Sequence, residues 1–496
     1  MQKLHDHPAQ VHEVVVVGAG FAGIGAAIQL QQMGADYVVL EKAAEIGGVW
    51  RDNTYPGCGC DVPAALYSFS FAPNPRWSRL FAKQAEIRDY TVETARQFGV
   101  LDHVRLNTHM QEARWSDTES CWHIQTNQGV FKARFVIMAC GPMHVPTRPA
   151  IAGWDSFTGR HFHSSQWDHS LDLKGQRVAV IGTGASAIQF VPEIAKQVTS
   201  LSVFQRTAPW VLPKMDMAIS PAWQQRFARY PRWQSVLRKL LYGQFELLNS
   251  GLRFPFFVKR LQRTGLSHIA RGVKDSALRQ RLTPDFALGC KRILLSNTWY
   301  RALSQSHVQV LGGVREIQGR RLIDTEGRSA EADVLIWATG FEVAYPPIAQ
   351  SIVGASGQRL SERWQGSPQA YLGTMLPDCP NLFLTFGPNL YTYSSAFVML
   401  EAQLRFIRSA LQFARQHPAS TLAVDPDRLT HYNQQVQNAL QKTVWNSGCS
   451  SYFLDGQGRN TTNWPWTTLY MRWRLRRFDP REFIVKLTPP APTIPT

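Results

Sequence analysis

The sequence predicts an α/β protein built on two dinucleotide-binding, Rossmann-like domains, with a helical insertion in the second. Three observations predict it. A β-branched strand leading into a glycine-rich turn, a helix and a second strand occurs twice, near residues 13–41 and 174–206. A segment carrying Pro142, Pro146 and Pro149 separates the two copies. Residues 226–281 then break the α/β rhythm, with 13 Lys or Arg against two acids, Glu246 and Asp275.

The first unit opens with Glu13–Val17, read as a buried parallel strand because it is short and rich in valine. Gly18-Ala-Gly20-Phe-Ala-Gly23 follows, then a helical pattern through Met33 and a second strand, Tyr37–Leu40, closed by Glu41. In this pattern Gly18 makes the tight turn, Gly20 lets backbone approach a pyrophosphate, and Gly23 lets helix and strand pack closely. The helix N-terminus stabilises the phosphate charge, and Glu41 is placed to accept hydrogen bonds from a ribose diol. A glycine triplet alone is weak evidence; here strand, helix, second strand and acid are all present.

The second unit reads as a strand at Arg177–Ile181, the turn Gly182-Thr-Gly184-Ala-Ser-Ala187, a helix to about Gln197 and a strand at Leu201–Gln205. Its second strand ends in Arg206-Thr207 with no carboxylate. An arginine pairs with a ribose 2′-phosphate that a carboxylate would repel, so this unit is expected to prefer NADPH. Two such units in one chain point to FAD plus NADPH. Between them, Gly47-Gly-Val-Trp50 through Asp61 is glycine-rich, with one aromatic anchor, and is read as wrapping a flavin.

Composition bounds the rest. The 496 residues suit about two to four domains. At 44% hydrophobic and 18% charged residues the chain is neither disordered nor collagen-like. Of a formal net charge of +17, the 226–281 stretch supplies +11. Aromatic and leucine residues interleave there, as in Leu237-Arg-Lys-Leu-Leu-Tyr242, so it reads as helical. Its first reading is a solvated face and its second a peripheral membrane contact. No nucleic-acid module accompanies the charge. Met1–Gln10 has no apolar leader core, and no apolar run nears the length of a membrane span. Seven cysteines, odd in number and without a C-x-x-C pair, predict reduced thiols in a cytoplasmic protein, with no metal site and no redox dithiol.

Phe157-Thr-Gly159-Arg-His-Phe-His163-Ser-Ser-Gln-Trp167-Asp168 matches F-x-G-x-x-x-H-x-x-x-W-[P/D] at every defined position. With the Gly47–Asp61 stretch, Ala338-Thr-Gly340 and Gly289-Cys-Lys-Arg292, the chain resembles the type I Baeyer–Villiger monooxygenases from about Val14 to Phe478. The resemblance implies a ketone and O2 as substrates, oxygenated to an ester or lactone through a C4a-peroxyflavin. It implies Arg292 beside the flavin as the fixed positive charge, with Asp61 orienting it. It implies Phe157, Gly159, His163, Trp167 and Asp168 as a linker fingerprint that couples domain movement to catalysis. The expected FAD set is Gly18, Gly20, Gly23, Glu41, Gly48, Trp50, Asp61, Tyr67 and Met110. The expected NADPH set is Gly182, Thr183, Gly184, Ser186, Gln189, Arg206, Thr207 and Lys291. Residues 1–145 and 339–496 are expected to form the FAD domain, the latter adding the substrate side. Residues 146–338 form the NADPH domain, with the insertion at about 215–288. Two rivals are a flavin enzyme that oxygenates nitrogen or sulfur and a non-oxygenating FAD and NADPH binder; Trp167 and Arg292 argue against the first, Arg292 and Asp61 against the second. The C-terminal Trp445, Trp464 and Trp466 read as core.

Overall fold

The computed structural model describes residues 9–418 and 420–487. Residues 1–8, most of the segment read for a leader, lie outside them. Two sheets organise the chain. The first runs Ile352–Val353, Met110–Ser116, Cys121–Thr126, Gly129–Met138, Gln10–Val17, Tyr37–Leu40, Val104–Arg105, and Leu382–Leu384 adds to Gly129–Met138. Its centre is parallel: Gln10–Val17 lies between Tyr37–Leu40 and Gly129–Met138. Val14, Val15 and Val16 are fully buried, as expected of a strand covered on both faces.

Both ends of the chain build this first unit. The helix Phe21–Gln32 lies against the long helix Ala396–Gln416, close enough that a Cβ on Gly25 would sit 2.8 Å from Leu404. Arg415 on the long helix pairs with Glu13 of the first strand, at 2.6 Å.

The second sheet is parallel throughout, ordered Val308–Leu311, Ser200–Phe204, Arg177–Ile181, Val334–Trp337, Arg160–His163. The helix expected to reach Gln197 ends at Ile194. Its last turn closes with shorter-range bonds, Lys196 N–H to Glu193 O and Gln197 N–H to Ile194 O. The chain then turns sharply, so that the Thr199 N–H reaches Gln176 O at 2.9 Å and starts the next strand.

Two connections join the sheets, and they run side by side. Thr147 N–H donates to Gly340 O at 2.9 Å, Glu342 N–H to Val145 O at 3.0 Å, and Pro146 bridges Phe341. The basic stretch is helical, in four pieces: Pro221–Arg229, Pro231–Gly251, Pro255–Gly272 and Ser276–Arg281. Three of them begin at a proline, whose fixed φ and missing N–H suit a first turn. The insertion leaves after Val211–Leu212 and returns at Leu294–Leu295, and these two short strands pair in parallel. Leaving and returning at one ladder sets Lys214 and Arg292 at its two ends.

Gly159 is needed for space. A Cβ there would lie 2.3 Å from Asp333 O and 2.7 Å from the Phe157 ring. Gly159→Ala is expected to lower stability by about 1–3 kcal/mol through overpacking. At Gly243, inside a helix with nothing within 4 Å of a Cβ, alanine is expected to raise stability by about 1 kcal/mol. Urea midpoints of the two variants should move in opposite directions.

Candidate active site

The first glycine corner is walled by backbone. Gly18 has φ +104°, and a Cβ there would meet Ala139 O at 2.7 Å; a Cβ on Gly23 would fall 1.7 Å from Gly18 O. Gly20 and Gly48 face each other, and a Cβ on Gly48 would lie 3.0 Å from the Gly20 Cα. The helix that starts here has no side-chain cap, so its first N–H groups are left for a ligand. This corner has the chemistry for a pyrophosphate. Glu41 is buried, and its carboxylate accepts from Ala19 N–H at 2.8 Å, Ala43 N–H at 3.0 Å and Arg51 at 3.1 Å. The acid expected at a ribose thus also braces the loop. Trp50 Nε1 donates to Tyr67 OH at 3.2 Å. Met110 sits in the apolar core with Val38 and Leu40, and nearby Thr108 N–H bonds Glu41 O at 2.8 Å.

The second corner repeats the tight turn and leaves more room. Gly182 has φ +107° with Ala338 O only 2.3 Å from a Cβ, whereas a Cβ on Gly184 would meet nothing within 4 Å. Thr183 is buried and Ser186 accepts from the Ser164 hydroxyl at 3.3 Å. Gln189 is drawn the other way. Its carboxamide accepts from Gly59 N–H at 3.2 Å and Tyr55 OH at 3.2 Å, and donates to Gly59 O at 3.0 Å, clasping the second unit to the first. Arg206 is exposed beside the half-buried Thr207. Burial, and then the closeness of Arg206, lower the Lys291 amine below its ordinary value, with Asp285 partly offsetting them. Two cations gathered this way suit a dianionic phosphate.

Arg292 and Asp61 meet between the two corners, with Nη2 donating to Oδ2 at 2.6 Å. Burial alone would raise the Asp61 carboxyl; Arg292 and Lys214 outweigh it and hold the group below the usual carboxylate range. Asp61 in turn raises Arg292 above its already high value, so the guanidinium keeps its charge. Three neighbours were not singled out from sequence. Lys214 donates to Cys60 O at 2.9 Å, with its amine lowered by burial. Tyr393 OH lies 3.0 Å from both Gly289 O and Lys291 O, on the segment that carries Arg292. Tyr452, its phenol raised by burial, lies against Arg292. Each is a common residue type without local pattern; only the fold gives it a role.

The thiol expectation is corrected in part. Cys290 and Cys449 form a disulfide across 159 residues, with Cα atoms 6.2 Å apart. Spacing rules look for nearby cysteines, and this pair is brought together by the fold, which sets the segment of Cys449 beside the one that carries Arg292. The other five cysteines are thiols, and burial pushes Cys58 up to about 11.

The fingerprint residues pack rather than react. Phe157 lies in the core under the second sheet. His163 is fully buried and its Nδ1 accepts from Ser165 N–H at 3.2 Å. Burial pushes its pKa down to about 4, so it is neutral near pH 7. Trp167 packs on Phe162 and Phe190, each at 5.2 Å between ring centres. Asp168 accepts from the Ser170 hydroxyl and from Arg160 at 2.8 Å, which hold its pKa at about 2. The Ser164–Ser186 bond ties this segment to the second glycine corner.

A family model described as pyridine nucleotide-disulphide oxidoreductase matches residues 15–239. The chain is 44% identical over 492 residues to a Baeyer-Villiger monooxygenase of Streptomyces coelicolor, covering 97% of this chain and 95% of that one. It is 41% identical over 487 residues to a Baeyer-Villiger monooxygenase of Pseudomonas aeruginosa, covering 97% and 92%. Among solved structures, an oxidized steroid monooxygenase bound to NADP matches with a TM-score of 0.84 at 27% identity, covering 94% of this chain and 97% of that one. Cyclohexanone monooxygenase from Rhodococcus sp. Phi1 bound to NADP+ matches at 0.86 and 25%, covering 97% and 100%.

Two measurements follow from this geometry. A histidine with pKa 6.5 unfolded and about 4 folded binds its proton first in the unfolded chain, so stability falls as pH drops from 6.5 toward 4. The loss amounts to about 3 kcal/mol at pH 4. In His163→Gln this part of the acid sensitivity should vanish, and an unchanged pH profile of the urea midpoint would rule the account out. Alkylation of the unfolded protein should count five thiols without reductant and seven with it. Seven in both cases would mean that Cys290 and Cys449 are free.

Proposed function

The chain belongs to the Baeyer–Villiger monooxygenases, and from that premise we propose how its residues divide the work. The enzyme is an FAD-dependent oxidoreductase that consumes NADPH and O2 and inserts one oxygen atom beside a ketone carbonyl, giving an ester or lactone. Bound FAD supplies hydride acceptance and oxygen activation.

In this reading residues 1–145 and 339–496 hold FAD, through Gly18, Gly20, Gly23 and Gly48 at the pyrophosphate and Glu41 at the ribose. Trp50, Tyr67 and Met110 belong to the same site. Residues 146–338 hold NADPH through Gly182, Thr183, Gly184 and Ser186, with Arg206, Thr207 and Lys291 on the 2′-phosphate. Gln189 serves this site from its clasp on Gly59 rather than by a free side chain. Phe157, Gly159, His163, Trp167 and Asp168 set the linker's path.

The observation that carries the assignment is the Arg292–Asp61 pair at 2.6 Å. A charge that cannot leave near neutral pH is what an oxyanion at an attacked carbonyl requires. Asp61 keeps the guanidinium in one orientation, so little reorganisation is needed when that charge develops. A heteroatom oxygenation has no comparable use for a permanent cation. A cytoplasmic setting is part of the proposal, with the Cys290–Cys449 bond the one feature against it, since disulfides persist in oxidising compartments. No helix among the described residues is long and apolar enough to cross a membrane. For the basic insertion we propose a peripheral contact with a membrane surface.

Turnover of a ketone panel under 18O2, read by mass spectrometry, should place one labelled oxygen in each ester. Arg292→Ala is expected to retain FAD and NADPH oxidation while ester formation drops by about 100-fold or more. Wild-type ester rates in that variant would sink the assignment. Lys291→Ala should raise the KM for NADPH by about tenfold and leave that for NADH nearly unchanged. Equal changes for both would remove Lys291 from the phosphate site.

A further inference from the structure

The helix Pro231–Gly251 carries large apolar side chains on both of its sides, which a surface helix does not need for its own packing. The side turned to the protein mixes polar groups with Leu241, Tyr242, Phe245 and Leu248, which pack against the core. Gln234, Glu246 and Asn249 are buried there. Gln234 donates to Asn74 O, Glu246 accepts from Thr468 N–H at 2.9 Å, and Asn249 accepts from the Thr392 hydroxyl at 2.6 Å. Arg238, on the same side, donates to Ala65 O at 2.9 Å and Ser68 O at 2.8 Å. The side turned to solvent carries a second apolar stripe, set among the exposed Arg232, Ser235, Lys239 and Gln244. Trp233, Val236, Leu240 and Leu247 are each more than half exposed and recur at helical spacing. Phe254 and Phe256 extend the stripe past the helix end, with Phe256 77% exposed. The neighbouring helix Thr468–Arg474, held to the first through Thr468, exposes Leu469 and Trp473 as well.

Cations border this surface. Arg226, Arg229 and Arg476 lie over the rings of Trp223, Tyr230 and Trp473, at 4.8, 5.4 and 5.5 Å. Arg232 and Lys239 are exposed on the stripe's own helix. The segment's two acids do not neutralise them: Glu246 is buried, and Asp275 caps the helix Ser276–Arg281 by accepting from Leu278 N–H. A second copy of the chain would bring another +11 stretch against the first. An anionic lipid surface complements both features, with headgroups for the cations and the acyl boundary for the apolar side chains.

We propose that the outward face of Pro231–Gly251, with the Phe254–Phe256 turn, seats the enzyme on an anionic bilayer. The inference rests on the peripheral contact proposed above and deepens it to a face and a lipid class. It is independent of the ketone chemistry. The seat lies close to the reaction chamber, because Asn249 on the inward side bonds Thr392, one residue from the Tyr393 that supports the Arg292 segment. An apolar ketone dissolved in the membrane would thus be taken up next to where it is used.

The test is flotation of the full-length, FAD-loaded protein with phosphatidylcholine vesicles, with and without about 30 mol % phosphatidylglycerol. Binding is expected only with the anionic lipid. Leu240→Glu with Leu247→Glu should weaken it at least about tenfold, since two buried apolar contacts are lost, while turnover of a water-soluble ketone stays the same. No binding to anionic vesicles overturns the proposal and leaves the catalytic assignment untouched. Binding that survives this double substitution but is lost in about 0.5 M salt overturns the apolar seat and keeps a purely electrostatic contact. A concentration-dependent dimer that the substitutions dissolve would give the face to a second copy and overturn the proposal too.

Discussion

Asp61 and Arg292 are 231 residues apart in the chain and 2.6 Å apart in the fold. Everything between them has to be placed for that bond to form. Asp61 follows the glycine-rich wrap, whose Gly48 backs onto Gly20 with no room for a side chain. Arg292 closes the excursion through the second sheet and the helical insertion, at the ladder Val211–Leu212 with Leu294–Leu295. The pair is therefore a report on assembly as well as a reaction site. It forms only when the two glycine corners, the linker and the insertion are all in register. Lys214, at the other end of the same ladder, adds a second positive charge toward Asp61, which keeps the carboxylate ionised despite burial.

What sequence revealed and what it hid divide along the same physical line. Features set by neighbours in the chain were legible. The strands Tyr37–Leu40 and Arg177–Ile181 fall where the valine-rich runs put them, because a strand buried on both faces has a local composition. The glycine corners were legible because the backbone conformation at Gly18 and Gly182 excludes other residues. Features set by partners far along the chain were not. Nothing near Lys214, Tyr393 or Tyr452 marks them, and Cys290 gives no sign that Cys449 will lie beside it. Gln189 was read as a cofactor ligand from its place in the motif, yet its amide is spent on Gly59 and Tyr55. The basic insertion shows both sides of this. Its charge could be counted from composition, but which face of Pro231–Gly251 looks outward depends on what the rest of the fold offers its polar side chains.

The fingerprint segment works by occupancy of space. Gly159 lets the Arg160–His163 strand press against Asp333, Phe157 and Trp167 fill hydrophobic gaps, and His163 is kept neutral by burial. Their link to the chemistry is the short path from Ser164 to Ser186 and from there into the second corner.

The two segments that join the sheets are hydrogen-bonded to each other along 145–147 and 340–342. Two ropes lashed together act as one, so the crossings count as a single connection, to which the Gln189 clasp on Gly59 and Tyr55 adds a second. The Cys290–Cys449 bond is a further, covalent link that the crossings do not supply. Cutting it would remove one covalent tie spanning 159 residues and leave the paired crossings and the Gln189 clasp in place.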